Sequence, residues 1–142
     1  MKKFSFVLLI LSVLLVLSCA SGGKVTDEQF AKIYDKYYSN LILEGAQKYT
    51  VKGGDRLAEI SRSFYTDGYY YPLIMLASKD VVSDPDKIQP GMELTIPDLQ
   101  KNMGDAKAKA SIKGVILDCA RIEDKRERKD TAKGLRDHAA KI

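Results

Sequence analysis

Apolar residues recur along the chain in several different rhythms. From Phe4 to Leu17 the run is almost unbroken, with only Ser5 and Ser12 polar. Over residues 27–48, Phe30, Ile33, Tyr34, Tyr37 and Leu41 fall three and four apart, the stripe of an amphipathic helix. Thr26 as cap, Gln29 as capping-box partner and the Val25/Phe30 pair as a hydrophobic staple mark its start. Gly45 weakens it near its end. Between residues 49 and 97 the rhythm changes repeatedly. Tyr49-Thr50-Val51 predicts a strand, Gly53-Gly54-Asp55 a turn, and Leu57, Ile60 and Phe64 a helix. Pro72 opens a second helix with Leu73, Leu76 and Ala77. Asp84 to Ile88 is a loop, and the Gln89-Pro90-Gly91 turn leads into a last strand, Glu93 to Ile96. The order is β-α-α-β. Residues 98–104 are polar and read as a linker. From about Asp105, Ala108, Ile112, Val115, Cys119 and Ile122 line one helical stripe. Gly114 costs that helix about 1 kcal/mol against alanine, which points to a packing reason. The dense mixed charge from Glu123 to Lys133 predicts a solvated helix surface, and Leu135, Ala139 and Ile142 continue a weak apolar face.

The first stretch decides where the chain works. Lys2-Lys3 followed by the short apolar run suits a signal-peptide core better than a membrane-spanning helix. It ends at Val16-Leu17-Ser18-Cys19, which resembles a bacterial lipobox, although Leu17 is bulkier than that motif usually carries. The resemblance implies cleavage after residue 18, diacylation of Cys19 and attachment to a membrane through the N-terminal lipid. Two or more acyl chains give stable anchoring, at about 0.8 kcal/mol per buried CH₂.

Residues 49–97 resemble a LysM domain. The elements that carry the resemblance are Tyr49-Thr50-Val51, Gly54-Asp55-Arg56-Leu57, Asp84-Pro85-Asp86, Ile88, Pro90-Gly91 and Leu94-Thr95-Ile96-Pro97, in order and at compatible spacing. They cover about a third of the chain. Arg56, Tyr71 and Ser78 depart from the residues common in the family at those positions: a hydroxyl residue, tryptophan and asparagine. The resemblance implies non-catalytic binding of N-acetylglucosamine-containing glycan, peptidoglycan or chitin. The binding positions it implies are Gly54, Asp55, Arg56, Leu57, Asp84, Pro85, Asp86 and Ile88, on two loops that form a shallow groove. There Leu57 and Ile88 serve equally as core or as an apolar seat for an acetyl methyl. Asp55 is better explained as a helix N-cap. Arg56 and Lys87 are placed to meet carboxylates of peptidoglycan, and Tyr69-Tyr70-Tyr71 offers a stacking surface, with Tyr71 turned inward.

Charge and sparse chemistry narrow the function. The 142 residues carry a formal charge of +4, which falls to +2 without Lys2 and Lys3. Residues 49–97 hold five Lys/Arg against seven Asp/Glu, and residues 98–142 twelve against eight. The basic balance belongs to the tail, and nothing points to nucleic acid as partner. The chain has a single histidine, His138, and apart from Cys19 a single cysteine, Cys119. That leaves no set of ligands for a catalytic zinc and no partner for an intramolecular disulfide. Cys119 on an apolar stripe reads as a core residue, and Glu59 with Asp55 sits on a short helix and its cap. The chain reads as a non-enzyme without cofactor or metal.

The expected organisation is a signal peptide over 1–18, a lipidated cysteine and linker over 19–26, and an amphipathic helix over 27–48. A LysM domain over 49–97 and a linker with a charged helical extension over 98–142 follow. The fold class is α+β, one βααβ module with flanking N- and C-terminal amphipathic helices, the first of which packs its tyrosine stripe on the module or on the C-terminal helix. The expected role is a lipid-anchored envelope protein, on the periplasmic or extracellular side, that ties membrane to wall glycan. The alternative is an envelope scaffold or surface interaction lipoprotein that meets a protein partner through its helices, or a regulator of a cell-wall hydrolase.

Overall fold

The computed structural model describes residues 27–142, so the expected signal peptide, Cys19 and the expected Val25/Thr26 staple and cap lie outside the described residues. Two strands, β1 (Gln47–Thr50) and β2 (Glu93–Ile96), pair antiparallel with Gln47 opposite Ile96 and Thr50 opposite Glu93. Between them run α2 (Leu57–Tyr65) and α3 (Tyr71–Ala77), giving the expected βααβ order. Pro72 lies at the first turn of α3, where its missing N–H costs nothing. Every residue of α3 is buried, and Leu73, Ile74, Met75 and Leu76 have no exposed surface. A helix apolar on all sides must be enclosed, and α3 is enclosed by α2, β2 and the long helix α5 (Ala106–Lys125). Ser78 closes this layer: its Oγ accepts from Thr95 N at 2.9 Å, tying the end of α3 to β2.

The flanks join the same core. Helix α1 (Asp27–Tyr37) buries Phe30, Ile33 and Tyr34, and Tyr34 Oη donates to Val82 O at 2.7 Å, inside the module. On its other contact, Tyr37 Oη and Lys36 Nζ both donate to Asp118 of α5, at 2.8 and 3.1 Å. Gly114 explains itself here, because a Cβ on it would overlap the Tyr37 ring. The short loop after α5 turns the chain back into α6 (Lys129–Ala139), and the two helices pack as a hairpin. Among the described residues no helix is long and apolar enough to cross a membrane.

Three local expectations are corrected. The first helix does not run to residue 48: it ends at Tyr37, passes through a 3-10 turn (Tyr38–Asn40), and reaches β1 through a second turn at Glu44–Gly45. Asn40 Nδ2 donates to Ser111 Oγ, and Asn102 accepts from Ile42 N and donates to Ile42 O, so side chains from the tail hold this segment out of helix. Gly45, at φ +79°, serves the turn into β1 rather than a helix end. Residues 98–104 are not a plain linker but contain α4 (Leu99–Gly104), capped by Asp98, whose Oδ1 accepts from Lys101 N at 3.0 Å. The charged stretch after Ile122 is not simply solvated either. Glu123 is buried, and Arg126 and Arg128, in the loop that joins α5 to α6, turn toward Asp84, Asp86 and Glu123.

Candidate functional site

The turn after β1 and the loop before β2 lie side by side. Lys52 O accepts from Asp55 N at 3.2 Å to close the first turn, and Gly54 sits at φ +89°, a conformation glycine adopts freely. Nothing lies within 4 Å of the Cβ position of Gly54, so the turn needs glycine for its backbone and leaves open space beside it. Asp55 is not the N-cap of α2. That place falls to Arg56, which makes no side-chain capping bond. Asp55 Oδ2 instead accepts from Lys52 N and Tyr49 Oη, both at 2.8 Å. The Lys52 N–H foremost, then the Tyr49 hydroxyl, holds its carboxyl below the usual range. An aspartate that folds back onto its own turn satisfies two donors that a cap would have left free.

In the second loop, Asp84 caps the 3-10 turn Pro85–Lys87, its Oδ1 accepting from Asp86 N at 2.9 Å. Asp84 is nearly buried, and burial pushes its carboxyl up. Hydrogen bonds from Arg126 and from Asp86 N outweigh this, and the net shift is downward. Arg126 grips the loop through Nη2 to Asp84 Oδ2 at 2.5 Å and Nη1 to Asp86 Oδ2 at 2.8 Å. Arg128 adds Nη1 to Asp86 Oδ1 at 3.0 Å, and its Nη2 and Nε face the Glu123 carboxylate at 3.0 and 2.5 Å. Burial, only partly offset by these arginines, pushes the Glu123 carboxyl up.

The loops border an open cleft of about 470 Å³, within the rough 300–1,000 Å³ span of small-molecule sites. Asp55, Arg56, Leu57, Pro85, Asp86 and Ile88 all line it, so the structure brings six of the eight expected positions to one surface. Gly54 and Asp84 do not line it: Gly54 shapes the first turn and Asp84 holds the second loop from beneath. Leu57 is buried in the core, whereas Ile88 is only half-buried. Tyr71 is buried and forms part of the floor. Tyr69 and Tyr70 have turned elsewhere, Tyr69 over Gly134 and Tyr70 edge-on to His138 at 4.3 Å between centroids, so the three tyrosines make no common stacking surface. Lys87 pairs with Asp27 at 2.5 Å. Arg56 is exposed and makes no ion pair among the described residues. A second open cleft, about 420 Å³ between Tyr65–Thr66 and Pro97–Gln100, contains none of the expected positions.

The third side of the main cleft is made by Glu123, Arg128 and Thr131, which sequence reasoning did not single out. A charge run carries no mark of which members turn inward. The one available sign was Asp84 and Asp86 in a loop with too few nearby cations to balance them.

Cys119 is buried without a disulfide, and burial raises its thiol pKa, the opposite of an activated nucleophile. His138 Nδ1 lies 3.1 Å from Asp67 Oδ2 among Tyr69 and Tyr70. Among the described residues no group of three or more His, Cys, Asp and Glu could hold a metal ion.

A two-stranded antiparallel sheet carrying two helices, with an open cleft bordered by its two loops, makes up a compact βααβ module. Residues 49–97 match the LysM domain family, a carbohydrate-binding and non-catalytic module. The chain is also 38% identical over 68 residues to the potassium binding protein Kbp of Escherichia coli, covering 48% of this chain and 46% of that one. It is 45% identical over 53 residues to an uncharacterized protein of Deinococcus radiodurans, 37% of this chain and 20% of the other. The matches thus span less than half the length of either relative. No solved structure matches the chain.

Proposed function

We propose that the chain binds N-acetylglucosamine-containing wall glycan in the cleft between the two loops, and that lipid on Cys19 ties it to a membrane of the bacterial envelope. The observation that carries the glycan reading is the convergence of Asp55, Arg56, Leu57, Pro85, Asp86 and Ile88 on one open cleft within the LysM match. An N-acetyl group offers a carbonyl acceptor, an amide donor and a methyl. Turn backbone answers the first two, and the half-buried Ile88 answers the third. The anchoring part rests on the apolar run and Leu17-Ser18-Cys19 alone. A single module gives a small contact, and many anchored copies facing a polymer raise effective concentration without new contacts.

Sedimentation of the protein with purified peptidoglycan tests the glycan part. Wild type is expected to co-sediment, and Gly54→Val, strained at φ +89°, to stay in solution with its fold retained. The name of the Escherichia coli relative makes potassium the cation to vary. Glycan binding is expected to be equal in potassium and sodium chloride at matched ionic strength. Anchoring is tested separately: Cys19→Ala is expected to lose fatty-acid labelling and to leave the detergent phase.

A further inference from the structure

Glu123, Arg128 and Thr131 belong to the α5–α6 hairpin, outside the LysM match, yet they border the same cleft as the two loops. Their placement is fixed rather than incidental. The Glu123 side chain is only 4% exposed, and Arg128 spans it and Asp86, so the turn of the hairpin is bolted to the loop that forms one side of the cleft. Arg128 is 38% exposed, and with Nε and Nη2 on Glu123 and Nη1 on Asp86 at least one of its five N–H groups is left over. The Thr131 hydroxyl makes no hydrogen bond among the described residues and stands half-buried at the rim.

The charges decide the ligand. Asp55, Asp86 and Glu123 face Arg56 and Arg128 across the lining, which leaves one net negative charge. Arg128 is already compensated by two carboxylates. The hairpin therefore offers a ligand hydrogen bonds and no net attraction for an anion, which suits an uncharged, hydroxyl-rich ring.

We propose that the α5–α6 turn is a third wall of the glycan cleft, in which Arg128 and Thr131 hydrogen-bond the uncharged sugar ring next to the one seated between the loops. This rests on the glycan reading and extends the site beyond the LysM module. Recognition then requires the tail, and residues 49–97 supply only two of the three walls.

The test is calorimetric titration of the full chain, in detergent, with a chitin-derived oligomer of five N-acetylglucosamine units. Thr131→Phe, which fills the cleft from a half-exposed position, is expected to weaken binding at least tenfold. Thr131→Val, which removes only the hydroxyl, is expected to weaken it a few-fold, as is Arg128→Lys, which keeps the charge beside Glu123 but loses the fork. Wild-type affinity is expected to change less than about twofold between 50 and 500 mM salt, because no screened charge pair is formed. If wild type binds and Gly54→Val does not, while all three hairpin variants bind as wild type with unchanged thermal midpoints, the third wall is overturned and the glycan reading stands. A tenfold loss of wild-type affinity in high salt overturns the uncharged-ring contact. No binding by wild type overturns the glycan reading itself.

Discussion

Arg126 and Asp84 form a nearly buried ion pair between the end of α5 and the cleft loop, Nη2 to Oδ2 at 2.5 Å, with 15% and 6% of their side chains exposed. Removing one partner of such a pair strands the other charge, a loss of about 3–5 kcal/mol. Arg126→Ala is expected to lower stability toward that range in urea unfolding. The folded-state pKa of Asp84 is depressed, so its contribution is present above the unfolded value and fades as pH falls through the folded one. Stability in acid is therefore expected to fall less steeply in Arg126→Ala than in wild type.

Gly114→Ala sets two effects against each other. Helix propensity alone favours alanine by about 1 kcal/mol. The Tyr37 ring occupies the place of the new Cβ, and overpacking costs about 1–3 kcal/mol. Overpacking is expected to win, lowering the thermal midpoint. In a Tyr37→Ala background the same substitution is expected to become neutral or stabilising, which a double-mutant cycle reads directly.

His138 gives a pH signature. Burial lowers its pKa, only partly opposed by Asp67, while Lys141 adds to the lowering and the Tyr69 and Tyr70 rings pack beside it. The unfolded chain therefore binds more protons than the folded one below about pH 6.5, and stability is lost as pH falls from there toward the folded pKa. His138→Phe, which keeps the ring against Tyr70, is expected to flatten the decline in urea-unfolding free energy between pH 7 and 5.

Cys119 is expected to react slowly with a thiol reagent in the native protein and rapidly in denaturant. Its burial and raised pKa both suppress the thiolate. Fast native labelling would mean the α5 face opens toward solvent.

The βααβ order was legible because each boundary carries a local sign. Pro72 begins a helix, Gly91 turns at φ +92°, and Leu94 and Ile96 alternate into the core. The apolar stripe predicts too long a helix over residues 27–48 because what holds its second half out of helix is distant: Asn102 captures the backbone of Ile42 from 60 residues away. Aspartate before a helix has two local uses, cap or turn, and for Asp55 it is Tyr49 on the preceding strand that decides for the turn. The two loops of the cleft could be read from motif spacing. Its third side could not, since Glu123 and Arg128 look like any other residues of a solvated charge run until Asp86 is placed beside them.

Phe30, Arg126 and Asp84 come from three separate parts of the chain and meet at one point, with the guanidinium carbon 5.2 Å from the Phe30 ring centroid. The boundary that the motif draws at Pro97 is therefore not a boundary in free energy. A fusion carrying residues 49–97 alone would expose the faces of α3 and Val82 that α1 and α5 now cover, and would forfeit the grip on its own loop. For engineering, the LysM-like segment has to travel with α1 and with α5, which cover it. Amide hydrogen exchange should register them as a single cooperative block, with the slowest amides of α3 and α5 opening together.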